Sequence, residues 1–174
     1  MELRTMTNYR ATNYRATKPA AVVDEVDARV LRALVHEPRA TTVALAEATG
    51  LARNTVHSRL AKLEEDGVLQ SFERRIDPAA LGYPLTAFIM VTVTQRRLRA
   101  IGDALADVPE VLEVHGLSGV TDLLVQIVAR DADDLYRLAG QILDIDGVEK
   151  TTTGLVMRRL VDYRLGPLLD RPRG

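Results

Sequence analysis

The sequence predicts an α+β protein with two domains, a three-helix domain followed by a βαββαβ unit. Between residues 24 and 66, apolar side chains recur every three or four positions, which is typical of amphipathic helices. After residue 84 the pattern changes to short β-branched and apolar runs that alternate with two helical segments. The chain has 174 residues, of which 47% are hydrophobic, so it can bury two small cores.

Three helices are predicted in the first domain. The first begins at the N-cap Asp24, with Asp27 in its first turn, and ends at Pro38. The second begins after Thr41 and stops at Gly50. The third runs from about Ala52 to Asp66, and its inward face carries Val56, Leu60 and Leu63.

The second domain is predicted to contain four strands and two helices. The sequence "VLQSFERR" (68–75) first predicts a short strand, and residues 76–84 a linker rich in turn residues. Strands follow at 85–93, 111–119, 122–130 and 148–161. The helical faces between them carry Leu98, Ile101, Leu105 and Val108, then Leu135, Leu138 and Ile142, with Asp131 or Asp133 as the second cap. This order gives a four-stranded antiparallel sheet with two helices on one face.

The segment "ATGLARNTVHSRLAKLEEDG" (48–67) favours DNA binding. A glycine turn joins its two helices, as in a helix-turn-helix, whose second helix reads base edges with its N-terminal residues. Those residues must donate or accept hydrogen bonds: Arg to guanine, Asn to adenine, Ser or Thr to either. The exposed faces of the third helix supply this set with Arg53, Asn54, Thr55, His57, Ser58, Arg59 and Lys62. Acidic residues occur only at its far end, the reverse of what the helix dipole favours.

Composition excludes several classes of protein. The absence of Cys excludes disulfides and thiolate metal sites, and no apolar run approaches the ~20 residues of a membrane span. We therefore expect a cytoplasmic protein without a metal or cofactor. Residues 1–21 contain the repeat "TNYRATNYRAT" and are predicted to form a disordered tail, or a basic arm that touches phosphates. Residues 166–174 are predicted to form a C-terminal tail.

Two stretches resemble the Lrp/AsnC (feast/famine) transcriptional regulators. "PRATTVALAEATGLARNTVHSRLAKLEEDGVLQSF" is similar to their DNA-binding module, and "LSGVTDLLVQIVARDADDLYRLAGQILDIDGVEKTTTGLV" to their effector and oligomerisation domain. The resemblance spans roughly residues 22–165. It implies a winged helix-turn-helix (22–75), a hinge strand and a ferredoxin-like domain (85–165). It also implies homodimers formed through the sheet, octamers, and a small effector, an amino acid or similar metabolite, bound between dimers.

The resemblance also assigns residues to sites. The helix-turn-helix would span about Thr42 to Ala61, with Thr42 and the residues from Arg53 to Lys62 named above at DNA-facing positions. The effector site would lie at the turn between the second and third strands, with Thr152 nearby; its residues are Leu117, Ser118, Gly119, Val120, Thr121 and Asp122. Leu85, Phe88 and Val91 are candidates for the dimer interface. Two departures are Ala52, where the family usually has a Ser cap, and Val120, where it often has Asp.

These observations predict a sequence-specific regulator that binds double-stranded DNA at a loose inverted repeat. Arg59, Lys62, Arg74 and Arg75 would hold phosphates. One alternative is an Lrp-like enzyme of the haem-precursor decarboxylase type, although His36, His57 and His115 are too dispersed to suggest a catalytic site. Another is an amino-acid-sensing oligomer without DNA function, which has no need of the polar residues at 53–59.

Overall fold

The computed structural model describes residues 23–170. The predicted N-terminal tail with its repeat lies outside the described residues. The described chain divides into two units, one comprising residues 75–159 and the other comprising residues 23–74 together with 160–170. Within the predicted C-terminal tail, Gly166–Leu169 form a short helix, α6.

Three helices make up most of the first unit: α1 (Glu25–His36), α2 (Thr42–Thr49) and α3 (Arg53–Glu65). The predicted cap of α1 is confirmed, since the Asp24 carboxylate accepts the Asp27 N–H at 2.8 Å and the Asp27 carboxylate accepts the Asp24 N–H at 3.0 Å. This reciprocal pair satisfies two N–H groups that a helix start leaves without partners. The helices bury a small core around Leu45, Ala46 and Val56, with Leu34 and Leu60 packed against it.

The short strand predicted at residues 68–75 is not formed. The N–H groups of Val68 and Leu69 both bind the carbonyl of Leu63, at 2.8 and 3.0 Å, so this backbone closes the end of α3 instead of pairing with a strand. A 3-10 helix follows at Phe72–Arg75, and a second one at Pro78–Leu81 interrupts the predicted linker. The hinge is therefore built from 3-10 turns, with no strand between residues 23 and 84.

The second unit is the predicted four-stranded antiparallel sheet: β1 (Leu85–Val93), β2 (Val111–Gly116), β3 (Leu123–Ala129) and β4 (Val148–Leu155), in the order β2-β3-β1-β4. Helices α4 (Leu98–Ala106) and α5 (Ala132–Leu143) follow β1 and β3. The order and the pairing match the predicted ferredoxin-like βαββαβ fold. Of the two predicted caps of α5, Asp131 is the one used.

Strand β4 ends at Leu155, six residues before the predicted end. Leu155 lies opposite Ala87 near the start of β1, and the Val156 N–H donates to the Thr86 carbonyl at 2.9 Å. Beyond this bond, β1 has almost no further backbone groups with which β4 could pair. The residues from Met157 onward therefore leave the sheet.

Alternate residues of β1 face opposite sides of the sheet. Ile89 and Val91 are fully buried in the helix-side core with Ile101, Leu105 and Leu138. Of the three interface candidates, Val91 therefore belongs to this core and Leu85 packs against it, which leaves Phe88 on the open side. Phe88 and Met90 lie on the other side of the sheet, where Met90 is 37% exposed. The helix face predicted for α4 is confirmed except at Leu98, which is exposed.

Candidate nucleic-acid interface and effector turn

Helices α2 and α3 are joined by a turn at residues 50–52. Gly50 adopts φ +66°, a left-handed conformation that glycine accepts most readily, and its N–H donates to the α2 carbonyls. The Leu51 N–H then donates to the Ala46 carbonyl at 3.1 Å. As predicted, Ala52 provides no side-chain cap for α3, whose first N–H groups are therefore open to an outside acceptor such as a phosphate oxygen.

Helix α1 contacts the residues that precede this turn. The Arg29 guanidinium donates to the Thr49 carbonyl at the end of α2. The Thr49 hydroxyl donates to the Leu45 carbonyl at 2.6 Å and is buried. A Cβ added at Gly50 would lie 3.7 Å from the Arg29 side chain, an ordinary contact distance. The turn therefore needs glycine for its backbone angle and not for space.

The start of α3 presents a polar surface. Val56 and Leu63 are buried and Leu60 is half-buried, so these residues fix the inner face. The other predicted DNA contacts of α3 are exposed, namely Arg53, Asn54, Thr55, His57, Ser58 and Lys62. Thr42, in the first turn of α2, is half-buried. The helix therefore displays hydrogen-bonding side chains over two turns, as a base-reading helix must.

Arg59 has a role that the sequence did not predict. Its guanidinium forms ion pairs with Asp24 and, at 3.0 Å, with the buried Asp27, the two carboxylates that cap α1. These carboxylates raise the pKa of Arg59. The Asp27 N–H and the Arg59 side chain together lower the pKa of Asp24. Arg59 thus joins α3 to α1 within the domain.

The predicted effector turn connects β2 and β3. Val120 at its tip is 99% exposed, and Leu117, Ser118 and Gly119 are exposed too. The Asp122 carboxylate accepts the Val93 N–H at 2.8 Å and also the Gln95 side-chain amide. The Asp122 N–H donates to the Val91 carbonyl at 3.0 Å. Asp122 therefore ties the turn to the end of β1.

The last strand approaches the same corner of the sheet. Thr151 lies opposite Val91 in the β1–β4 ladder, and Thr152 lies opposite Met90. The Val91 backbone is thus shared by the turn and by β4, which brings Asp122 and Thr151 to one end of β1. Thr152 is exposed on the sheet face that the helices leave open.

Two family models match the chain. The Lrp/AsnC ligand binding domain matches residues 86–165, and a winged helix-turn-helix DNA-binding domain matches residues 23–70. HTH-type transcriptional regulator FL11 of Pyrococcus horikoshii is 36% identical over 136 residues, which cover 78% of this chain and 90% of that protein. The chain belongs to the Lrp/AsnC family.

Solved Lrp/AsnC structures share the fold. The crystal structure of AldR from Mycobacterium tuberculosis has a TM-score of 0.68 at 31% identity, covering 83% of this chain and 97% of that one. A feast or famine regulatory protein from M. tuberculosis, complexed with L-methionine, has a TM-score of 0.73 at 27% identity, covering 83% and 98%. This member of the family therefore carries both a DNA-binding and a ligand-binding domain, and its relatives are named transcriptional regulators.

Among residues 23–170, no group of three or more His, Asp or Glu side chains is placed to hold a metal ion. No helix in that range is long and apolar enough to cross a bilayer.

The sequence does not indicate the roles of Arg29 and Gln95, which hold the turn before α3 and the turn after β2. Neither carries a motif, because each acts on a partner from another element. The contact of Arg32 with α6 is not indicated either. The only available signal was the spacing of Arg29 and Arg32, which lie three positions apart on one exposed side of α1.

Proposed function

We propose that this Lrp/AsnC protein binds operator DNA sequence-specifically and that a small effector, an amino acid, tunes the binding. The observation that carries the proposal is the exposed set at the start of α3, placed directly after the turn that α1 braces. Arg53, Asn54 and Thr55 would contact base edges, and Lys62 a phosphate. Arg74 and Arg75 at the hinge are further phosphate candidates.

The open sheet face supports a homodimer. Phe88 and Met90 of β1 and Leu124 of β3 lie on the face that α4 and α5 leave uncovered. Packing two such faces would bury these apolar side chains. A two-fold dimer would present two α3 helices about one duplex turn apart, ~34 Å, which matches a loose inverted repeat. Four such dimers would assemble into an octamer.

The effector would bind at the turn after β2. Both oxygens of the only carboxylate in the turn accept hydrogen bonds, from Val93 and Gln95, so the fold directs this carboxylate toward the end of β1. The turn offers the apolar side chains Leu117 and Val120 and the hydroxyls of Ser118 and Thr121. This surface favours an amino acid with an apolar side chain, whose ammonium group would be bound by another copy of the chain. The L-methionine complex of the M. tuberculosis relative is consistent with that class.

The test is fluorescence anisotropy with the DNA upstream of the chain's own gene and with a scrambled duplex, over a salt series. We expect tighter binding to the upstream DNA, with log affinity falling linearly with log salt. Adding apolar amino acids such as methionine or leucine should shift the affinity more than aspartate or lysine does. Equal binding to both duplexes at every salt concentration would contradict sequence-specific recognition.

If the chain is instead an amino-acid-sensing oligomer without DNA function, it should bind an amino acid but no duplex, even at low salt. The enzyme alternative predicts a tetrapyrrole absorbance band in the purified protein. The polar surface of α3 favours the regulator over both.

A further inference from the structure

The C-terminal helix α6 lies beyond both regions that the family models match, since the ligand-binding match ends at residue 165 and α6 covers Gly166–Leu169. The helix does not belong to the sheet unit that precedes it. It groups instead with the three helices of the DNA-binding unit. Neither matched domain therefore accounts for the contacts of α6.

Helix α6 contacts α1 through Arg32. The Arg32 Nε lies 3.1 Å from the Asp170 Oδ1, and its Nη2 donates to the Leu169 carbonyl. A guanidinium suits the end of a helix, where the last carbonyls have no partner inside the helix and a capping carboxylate adds a second acceptor. Leu169 is also half-buried, whereas Leu168 beside it is 63% exposed.

The same helix α1 already holds both parts of the helix-turn-helix. Its capping carboxylates bind Arg59 of α3, and Arg29 binds the end of α2. Arg32 lies one turn from Arg29. Helix α1 therefore connects three elements, of which one is the last described segment of the chain.

We propose that the Arg32 side of α1 is a docking site for the chain's own C-terminal helix. Residues 160–170, which include α6, are then a fourth segment of the DNA-binding unit. The ligand-binding domain is attached to that unit twice, through residues 76–84 before β1 and through residues 156–159 after β4. Because β1 and β4 are paired neighbours, both attachments leave from the same part of the sheet. This docking requires neither DNA nor an effector.

The docking contact consists of one exposed ion pair and one hydrogen bond to a backbone carbonyl. The ion pair is exposed, with 43% of the Arg32 and 71% of the Asp170 side chain accessible, and such pairs are screened by salt. The bond to the Leu169 carbonyl adds a directional contact. Cross-linking in solution can therefore detect the docked state and its loss.

The chain contains no Cys, so two can be introduced without background labelling. Val35→Cys lies one turn beyond Arg32 and Leu168→Cys lies beside Leu169; both wild-type side chains are mostly exposed. A bismaleimide that spans about 11 Å, two helical turns, should give an intrachain product that runs as a monomer on a denaturing gel. Adding Arg32→Asp should reduce this product about tenfold, because it removes both contacts and places a carboxylate beside Asp170.

Two further variants separate docking from general damage. Arg32→Asp combined with Asp170→Arg reverses the ion pair and should restore most of the product. Arg39→Asp makes the same charge change in the exposed loop after α1 and should leave the product unchanged. Circular dichroism verifies that each variant is folded. Absence of the intrachain product, or a product that survives Arg32→Asp undiminished, would overturn the proposal. A double exchange that fails to restore it would also contradict the ion pair, and a product of dimer size alone would place α6 on a second copy.

Discussion

The two predicted sites, the start of α3 and the turn after β2, differ in how the fold uses their charged residues. At α3 the structure leaves Arg53 and Lys62 exposed and turns only Arg59 inward. At the effector turn the single charged residue, Asp122, binds backbone and side-chain donors of the same domain. The first surface therefore keeps the charges that DNA recognition requires, while the second is left with apolar side chains and hydroxyls. A charge in a site motif can thus serve the fold, as Asp122 does, and only the structure distinguishes the two uses.

Replacing Asp122 should change the stability of the fold more than replacing Val120 or Gly50. Asp122→Ala should lower the free energy of unfolding by about 1.5–3 kcal/mol, because the Val93 N–H and the Gln95 amide lose a charged acceptor. Urea denaturation measures this change. Val120→Ala, at a 99% exposed position of the same turn, should stay within about 0.5 kcal/mol of wild type. Equal effects of the two substitutions would show that Asp122 does not hold the turn.

A second prediction separates base reading from phosphate binding on α3. Arg53→Ala should cost about 1–3 kcal/mol on the preferred duplex and relax the preference at one base pair. Lys62→Ala should weaken all sequences alike and lower the salt slope by about one. Titrations on a set of single-base-pair variants distinguish the two patterns. Uniform weakening by Arg53→Ala would make Arg53 a phosphate contact.

Substitutions at Gly50, in the turn that precedes α3, should have a smaller effect on stability. Gly50→Ala should cost about 1 kcal/mol in stability, because alanine resists the left-handed angle while its Cβ has room. Gly50→Asn should cost less, since Asn visits this conformation more readily. Thermal unfolding of the three proteins tests the order. A lower melting temperature for Asn than for Ala would contradict the backbone explanation.

Much of this architecture follows from local sequence rules. The Asp24 cap, the end of α2 at Gly50 and the bounds of β1 depend on residues within a few positions, so composition and spacing predict them. Arg59 could not be assigned in this way, because its partner Asp24 lies 35 residues away. Asp122 and Val93 are 29 residues apart, and only the folded sheet brings them together. The strand predicted at 68–75 is absent although its residues suit a strand, because no neighbouring strand is available to pair with it.

The smallest effect concerns acid sensitivity at the α1–α3 contact. The pKa of Asp24 is lowered in the folded state, so its stabilisation is complete above the unfolded pKa of about 3.9 and is lost as the pH falls through the folded value. The urea midpoint should therefore fall between pH 5 and pH 3, and Asp24→Asn should reduce that dependence slightly. An unchanged pH profile in Asp24→Asn would remove Asp24 from the contact.

A specificity ratio shows whether the exposed start of α3 reads DNA bases. Anisotropy at fixed salt gives the affinity for the preferred duplex divided by that for a scrambled duplex, in wild type and in Arg53→Ala/Asn54→Ala. We predict that the ratio falls at least about tenfold in the double variant while binding to scrambled DNA changes much less. An unchanged ratio, with both affinities reduced equally, would contradict the assignment of α3 as the reading helix.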